Sequence, residues 1–372
     1  MSAAVRAQII VAMSVLVLCA APAVIGWLII AYGVNVPYWD QMMIADFLIR
    51  NHGRAFPAIG DLLAQHNESR IVVPRILFFY LARVTGWNVK YEMGLSLVLA
   101  GTVAAAVCLL TRRAFDRTTA AAASAAAALL IFSPVQWWNW TVGFQLVLFV
   151  PAVMLACALL ALSRSRVTIA AAAAAVATFS FANGIFLWLA LLPLVWASGR
   201  DRKRCWLTVG GWTGAGIVTG ALVYRGYKAP AGVPPMTLPY EAPGRFTAYC
   251  LAFLGHPLSW TRDLYPTIAV GGLLVVVFGG CLAVAWRQRR RAALEFAAFG
   301  LYAGLSAAAA AAGRLRLTLA QALEPRYTTL SIYLGVAVIL LIFATASPRV
   351  QAVAVAVMVI AHLLAVRAEW PH

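Results

Sequence analysis

Two polar stretches follow the apolar opening of this chain: VPYWDQMMIADFLIR at residues 36–50 and LAQHNESRIVVPR at residues 63–75. Together they gather Asp40, His66, Glu68, Arg70 and Arg75 into one region. A carboxylate held against a hydroxyl can act as a general base, and arginines pair with phosphate or carboxylate oxygens. The same residues also have plain structural uses. Asp40 stands where an N-cap for a helix over residues 41–51 belongs, Asn67 or Ser69 where a cap for the next helix belongs, and Asp61 suits a cap as well. Asp46 lies four residues before Arg50, the spacing of a helix-surface ion pair. Asp40, His66 and Glu68 could converge on a divalent metal, but no ligand spacing indicates one, and no cofactor is expected. A third polar stretch, GRLRLTLAQALEPRY at residues 313–327, carries Arg314, Arg316, Glu324, Arg326 and Tyr327.

The elements that must hold these residues are set by composition. The chain has 372 residues, 63% hydrophobic and 11% charged, against about 25% charged in a soluble domain. An all-α polytopic membrane protein follows, forming one integral domain over residues 1–372. The net charge of +17 comes from short basic runs at 111–117, 163–166, 199–204 and 287–291, between apolar segments. That is the positive-inside pattern and excludes a nucleic-acid partner; membrane lipids are the expected surroundings. The six cysteines are scattered without paired or metal-ligand spacing and read as small core residues.

Apolar segments near 9–31, 91–110, 118–133, 142–162, 167–181, 184–198, 205–224, 267–286, 292–312, 328–346 and 350–366 give about eleven transmembrane helices. With the N-terminus cytoplasmic, all four basic runs face the cytoplasm. Residues 70–86 must then not cross. They carry Arg70, Arg75 and Arg83, each costing about 2.5–3.5 kcal/mol at a bilayer centre. The first outer loop, about residues 33–90, is therefore expected to hold interfacial helices over 41–51 and 70–86. A long outer loop spans about 225–266, and SFANG at 180–184 marks a tight turn between two short apolar segments.

A first span, an outer loop with an acid a few residues past the membrane, and surface helices before the second span resemble the GT-C superfamily of polyprenyl-phosphate-sugar-dependent glycosyltransferases. The strings YWDQ, QHNESRIVVPR, WNWTVGFQ, SFANG and QALEPRYTT are similar to strings in bacterial multi-span proteins of that type. The resemblance implies an inverting transferase in the bacterial inner membrane, with its active site facing outward. It would move a sugar from a polyprenyl phosphate to a lipid-linked or cell-envelope glycan acceptor. Asp40 would be the general base, His66 and Glu68 would meet substrate hydroxyls, and Arg70, Arg75, Arg314, Arg316, Arg326 and Tyr327 would bind substrate, the arginines pairing with phosphate. A lipid phosphate leaves as a stabilised anion, so one carboxylate suffices where glycoside hydrolysis uses two. The rival classes are a transporter or flippase of lipid-linked sugars, which keeps polar groups near the midplane of broken helices, and an O-antigen polymerase or ligase.

Overall fold

The computed structural model describes residues 2–199, 201–229, 235–288 and 290–370. Residues 230–234 of the long loop, and Arg200 and Arg289 of the basic runs, lie outside the described residues. Among the described residues all regular structure is helical, and the only strand-like pairing is a bridge between His66 and Ser69.

Nine helices among the described residues are long and apolar enough to cross a bilayer: Ala4–Tyr32, Lys90–Ala114, Arg117–Thr141, Gly143–Leu162, Arg202–Tyr224, Leu264–Arg287, Arg291–Arg314, Pro325–Thr345 and Pro348–Glu369. The other two expected spans are shorter. Val167–Thr178 has 12 residues, a rise of about 18 Å against a hydrocarbon core of about 30 Å. Ala182–Trp196 is broken into a 3-10 turn and two short helical pieces. Several starts are capped as their sequences suggest. Asp116 accepts from the backbone N–H groups of Thr118 and Thr119 and from the Thr119 hydroxyl, and the Thr119 bonds foremost hold its carboxyl below the usual range. Asp201 caps Arg202–Tyr224 through the Arg204 N–H at 2.8 Å.

The helices group into two compact units. The first takes the described residues within Met1–Ala23, Ala104–Trp137 and Pro234–His372. Its centre is Thr328–Thr345, apolar on every side and buried almost throughout, as a helix without a polar face must be. Around it pack Arg291–Arg314, Leu264–Arg287 and the alanine-rich Arg117–Ile131, whose Ala123, Ala126 and Ala127 are buried. Small side chains let helix backbones approach where no hydrophobic force separates protein from lipid. Gly255 and Gly271 do the same for Pro243–Gly255 against Leu264–Arg287: a Cβ on Gly271 would lie 1.9 Å from the Leu251 carbonyl oxygen.

The second unit takes the described residues within Val24–Val103 and Trp138–Val233. Leu146–Leu162 forms its core, with Val167–Thr178 against it and Arg202–Tyr224 beyond. The whole 33–90 loop belongs here. It contains Met42–Arg50 and Val72–Thr85, within two residues of the expected bounds, and a further short helix, Ile59–Leu63. Val72–Thr85 rises only about 21 Å over its 14 residues. Its ends of loop are tied together: Val89 N–H donates to the Asn35 side-chain oxygen at 2.9 Å, and Lys90 Nζ to the Ile30 carbonyl at 3.4 Å.

Candidate functional site

Asp40 sits half-buried in a 3-10 turn, Trp39–Gln41, directly ahead of Met42–Arg50. The N-cap of that helix is Gln41, with no side-chain cap bond, so Asp40 is not the cap its position suggested. What fixes the turn is the neighbour of Asp40. Gln41 is buried and its Nε2 donates to Glu92 Oε2. Trp87 Nε1 donates to the other carboxylate oxygen at 3.2 Å. Gly143 makes room: a Cβ there would stand 2.6 Å from Glu92 Oε2 and 2.8 Å from Gln41 Nε2. Three segments distant in sequence thus meet on one buried carboxylate. The tryptophans on either side, Trp39 at φ 52° and Trp87 at φ 58°, both take the left-handed conformation, which costs a non-glycine residue roughly 1–2 kcal/mol. Rings gather here too, with Trp138 edge-on to both Tyr38 and Trp39.

The QHNESR stretch forms a tight turn rather than a helix cap. His66 N–H donates to the Ser69 carbonyl at 2.7 Å and Ser69 N–H returns the bond at 2.9 Å, with Asn67 between them at φ 49°. Helix Val72–Thr85 begins after Ile71 with no side-chain cap. Ser69 Oγ instead accepts from the Ala182 N–H at 3.0 Å, and the Phe179 carbonyl accepts from Val72 N–H at 2.8 Å. The SFANG turn is thereby the dock for the first loop. His66 is 3% exposed, its ring 5.0 Å from that of Phe144. Burial, then the nearby Arg75, lowers its pKa to about 4 against a smaller opposing pull from Glu68, so the imidazole is neutral at pH 7. Glu68 is half-buried in the same turn.

Both first-loop arginines are engaged with backbone. Arg70 donates from Nε to the Val223 carbonyl at 2.6 Å, from Nη1 to that of Leu63 and from Nη2 to that of Arg225, closing the end of Arg202–Tyr224. Arg75 is buried, lies over the Phe47 ring at 5.7 Å and donates from Nη1 to the carbonyls of Leu62 and Ala64. Burial above all, with Arg50 and Arg70 adding to it against Asp61, lowers its pKa to about 10, so it stays a cation at neutral pH. Asp46 pairs with Arg50 at 2.6 Å, the expected surface pair. Asp61, expected as a cap, lies inside Ile59–Leu63 and meets Arg50 at 3.3 Å and the Asn51 amide at 2.9 Å.

Arg314, Arg316, Arg326 and Tyr327 belong to the other unit. Arg326 is half-buried, lies over the Tyr327 ring at 5.1 Å and donates to Gln321 Oε1 at 3.3 Å. Arg316 pairs with Glu241 at 2.9 Å. Tyr249 is buried beside them: burial foremost, then Tyr327, pushes its phenol pKa well above the usual value, against the pull of Arg314 and Arg326. This unit therefore holds an arginine and tyrosine cluster of its own. It also holds a buried network in which His256 Nε2 meets Glu369 Oε1 at 2.9 Å and Arg262 donates to Glu369 Oε2 at 2.8 Å. Thr328 Oγ1 lies 3.4 Å from His256 Nδ1.

Comparison with protein-family models, curated proteins and solved structures finds no match. The GT-C resemblance thus rests on the sequence strings alone. Among the described residues no three His, Cys, Asp or Glu side chains assemble as a metal-ligand set, and Asp40, His66 and Glu68 do not converge as one. Sequence reading missed Gln41, Glu92 and Gly143, whose meeting has no local signature, and Tyr249, which resembles any other tyrosine of an apolar helix. A usable hint was present for Glu92: it is an acid within the first turn of an apolar span, where ionisable residues are costly and functional by default.

Proposed function

We propose that this chain is a membrane glycosyltransferase of GT-C type, using a polyprenyl-phosphate sugar and a lipid-linked or cell-envelope glycan acceptor. The reading is carried by one observation: the turn bearing Asp40, directly past the first apolar helix, is immobilised by the Gln41–Glu92 bond. A general base must be held to within a fraction of an ångström of its productive position, and a buried carboxyl group that accepts from two donors supplies that rigidity. Asp40 takes the proton from the acceptor hydroxyl as its oxygen attacks the anomeric carbon, and the lipid phosphate leaves with the bonding electrons. The configuration inverts. Of the arginines expected to bind phosphate, Arg70 and Arg75 give donors to backbone carbonyls, whereas Arg316 and Arg326 of the other unit meet Glu241 and Gln321.

The N-terminus is cytoplasmic and the first loop faces the periplasm in this reading. It does not depend on whether 167–198 crosses twice or enters and returns as a hairpin. Either way the basic runs at 163–166 and 199–204 stay on one side, and every later loop keeps its side. With two crossings there the span count is eleven. Against a transporter, the buried acids of the candidate spans stand toward helix ends rather than near the midplane, Glu92 in a first turn, Glu295 in a second turn and Glu369 as the last residue of its helix.

The test is incubation of the purified protein with labelled polyprenyl-phosphate sugars, alone and with lipid-linked glycan acceptors. Transfer or slow hydrolysis is expected in the wild type and a loss of at least about a hundredfold in Asp40→Asn, the lower end of the range for removal of a general base. Unchanged activity in Asp40→Asn removes Asp40 from the role. Lipid movement across proteoliposomes without release of polyprenyl phosphate favours the flippase class, and glycan chain growth on a polyprenyl-diphosphate donor favours the polymerase or ligase class.

A further inference from the structure

The residues just before Asp40 bring three aromatic rings together beside the turn. Tyr38, Trp39 and Trp138 stand mutually near-perpendicular: Tyr38 to Trp39 at 6.4 Å and 79°, Tyr38 to Trp138 at 5.8 Å and 77°, and Trp39 to Trp138 at 6.4 Å and 88°. Three rings so arranged form a corner. Tyr38 is 53% and Trp39 59% exposed, so the corner opens at the surface. An aromatic belt at a bilayer boundary needs rings at one depth and nothing more. Here a bulky side chain is also held at φ 52°, a conformation that persists in a non-glycine residue only where the surroundings over-determine it, and such strain gathers at ligand sites. The over-determination is visible: the next two residues carry Asp40 and the Gln41–Glu92 bond, and Gly143, five residues past Trp138, is packed against that bond.

We infer that Tyr38, Trp39 and Trp138 form a stacking subsite for a sugar ring, seating the saccharide that meets Asp40. A saccharide ring has an apolar C–H face and a rim of hydroxyls. The C–H face suits an aromatic surface, since the negative face of the ring π-system attracts polarised hydrogens, and the rim must then point toward polar partners, of which the adjoining Asp40 is the first. The inference rests on the proposed function, from which it takes the role of Asp40, but it is tested by binding alone.

The protein in nanodiscs is titrated with free hexoses, pentoses and N-acetylhexosamines while tryptophan emission is followed, in wild type, Asp40→Asn, Trp39→Tyr and Trp39→Gly. Glycine accepts the left-handed backbone without strain, so Trp39→Gly is expected to keep the melting temperature while removing the ring. The expected result is a saturable response to at least one sugar in wild type and Asp40→Asn, retained in Trp39→Tyr and weakened about tenfold or lost in Trp39→Gly. The same response in Trp39→Gly, or no sugar response in the wild type, overturns the inference. Quenching by bromine-labelled acyl chains that disappears in Trp39→Gly assigns the corner to the lipid boundary instead, which also overturns it. In the transfer assay, Trp39→Gly should raise KM for the saccharide substrate and leave kcat within about threefold. Sugar binding without any transfer by the wild type would sink the proposed function and leave the subsite standing; transfer with unchanged KM would do the reverse.

Discussion

The arginines of the first loop and those of the late loop look alike in sequence and differ in what they hold. Arg70 and Arg75 direct their guanidinium groups at backbone carbonyls of Val223, Leu63, Arg225, Leu62 and Ala64, and Arg75 is buried as it does so. Arg316 and Arg326 meet side chains, Glu241 in one case and Gln321 with the Tyr327 ring in the other, and neither is fully buried. A carbonyl at a helix end has no intrahelical donor, so an arginine that satisfies it becomes part of the framework. An arginine that meets a carboxylate or a ring at the surface makes a weak and exchangeable contact, which an incoming phosphate can replace. The first pair therefore builds the loop that carries Asp40; the second meets side chains of its own unit.

The comparison can be broken most directly at Arg75. Arg75→Ala leaves two carbonyls without their donor and should destabilise the protein by about 2–6 kcal/mol, at roughly 1–3 for each buried group left unsatisfied, read as a lower melting temperature in detergent. Retained stability would show Arg75 to be as exchangeable as the late arginines.

A pH series probes the same buried region through His66. Its folded pKa of about 4 lies below that of a free histidine, so between the two values the unfolded chain binds more protons than the folded one. Stability is then fully present above about pH 6.5 and declines as pH falls toward 4, by roughly 3 kcal/mol in total for this one group. The part of the pH slope owed to His66 should vanish in His66→Leu, checked by melting at pH 7.5 and 5.

Gly143→Ala tests the framework at the site itself. The added methyl displaces Glu92 or Gln41 and with it the Asp40 turn, and should lower transfer on the order of a hundredfold, the usual effect of a misplacement near 1 Å, measured beside melting to separate misplacement from unfolding. The smallest effect is expected at Arg326. Arg326→Ala should leave the melting temperature within about 2 °C and raise KM for the polyprenyl-phosphate donor about tenfold, the worth of one charge-assisted contact.

Much of the loop's outline was legible in the chain. The amphipathic spacing of Met42, Ile44, Phe47 and Leu48 marked the first surface helix, and the arginines of 70–86 argued against a crossing; Met42–Arg50 and Val72–Thr85 formed there. The capping roles offered for Asp40, Asn67, Ser69 and Asp61 did not form, because a cap read from sequence assumes that the nearest backbone N–H is the best partner. Ser69 found its donor on Ala182, and Asp61 on Asn51 and Arg50.

By itself the sequence determined the membrane class, the apolar helices and the separation of basic runs, since each depends on hydropathy summed over one continuous segment. Tertiary structure alone decided that Gln41 meets Glu92 across 51 positions, that Arg70 reaches Val223 across 153, and that Trp138 stands beside Trp39. Those choices are made by unsatisfied hydrogen-bonding groups seeking partners once water is excluded. Nothing in the local composition of either partner encodes which one will be near.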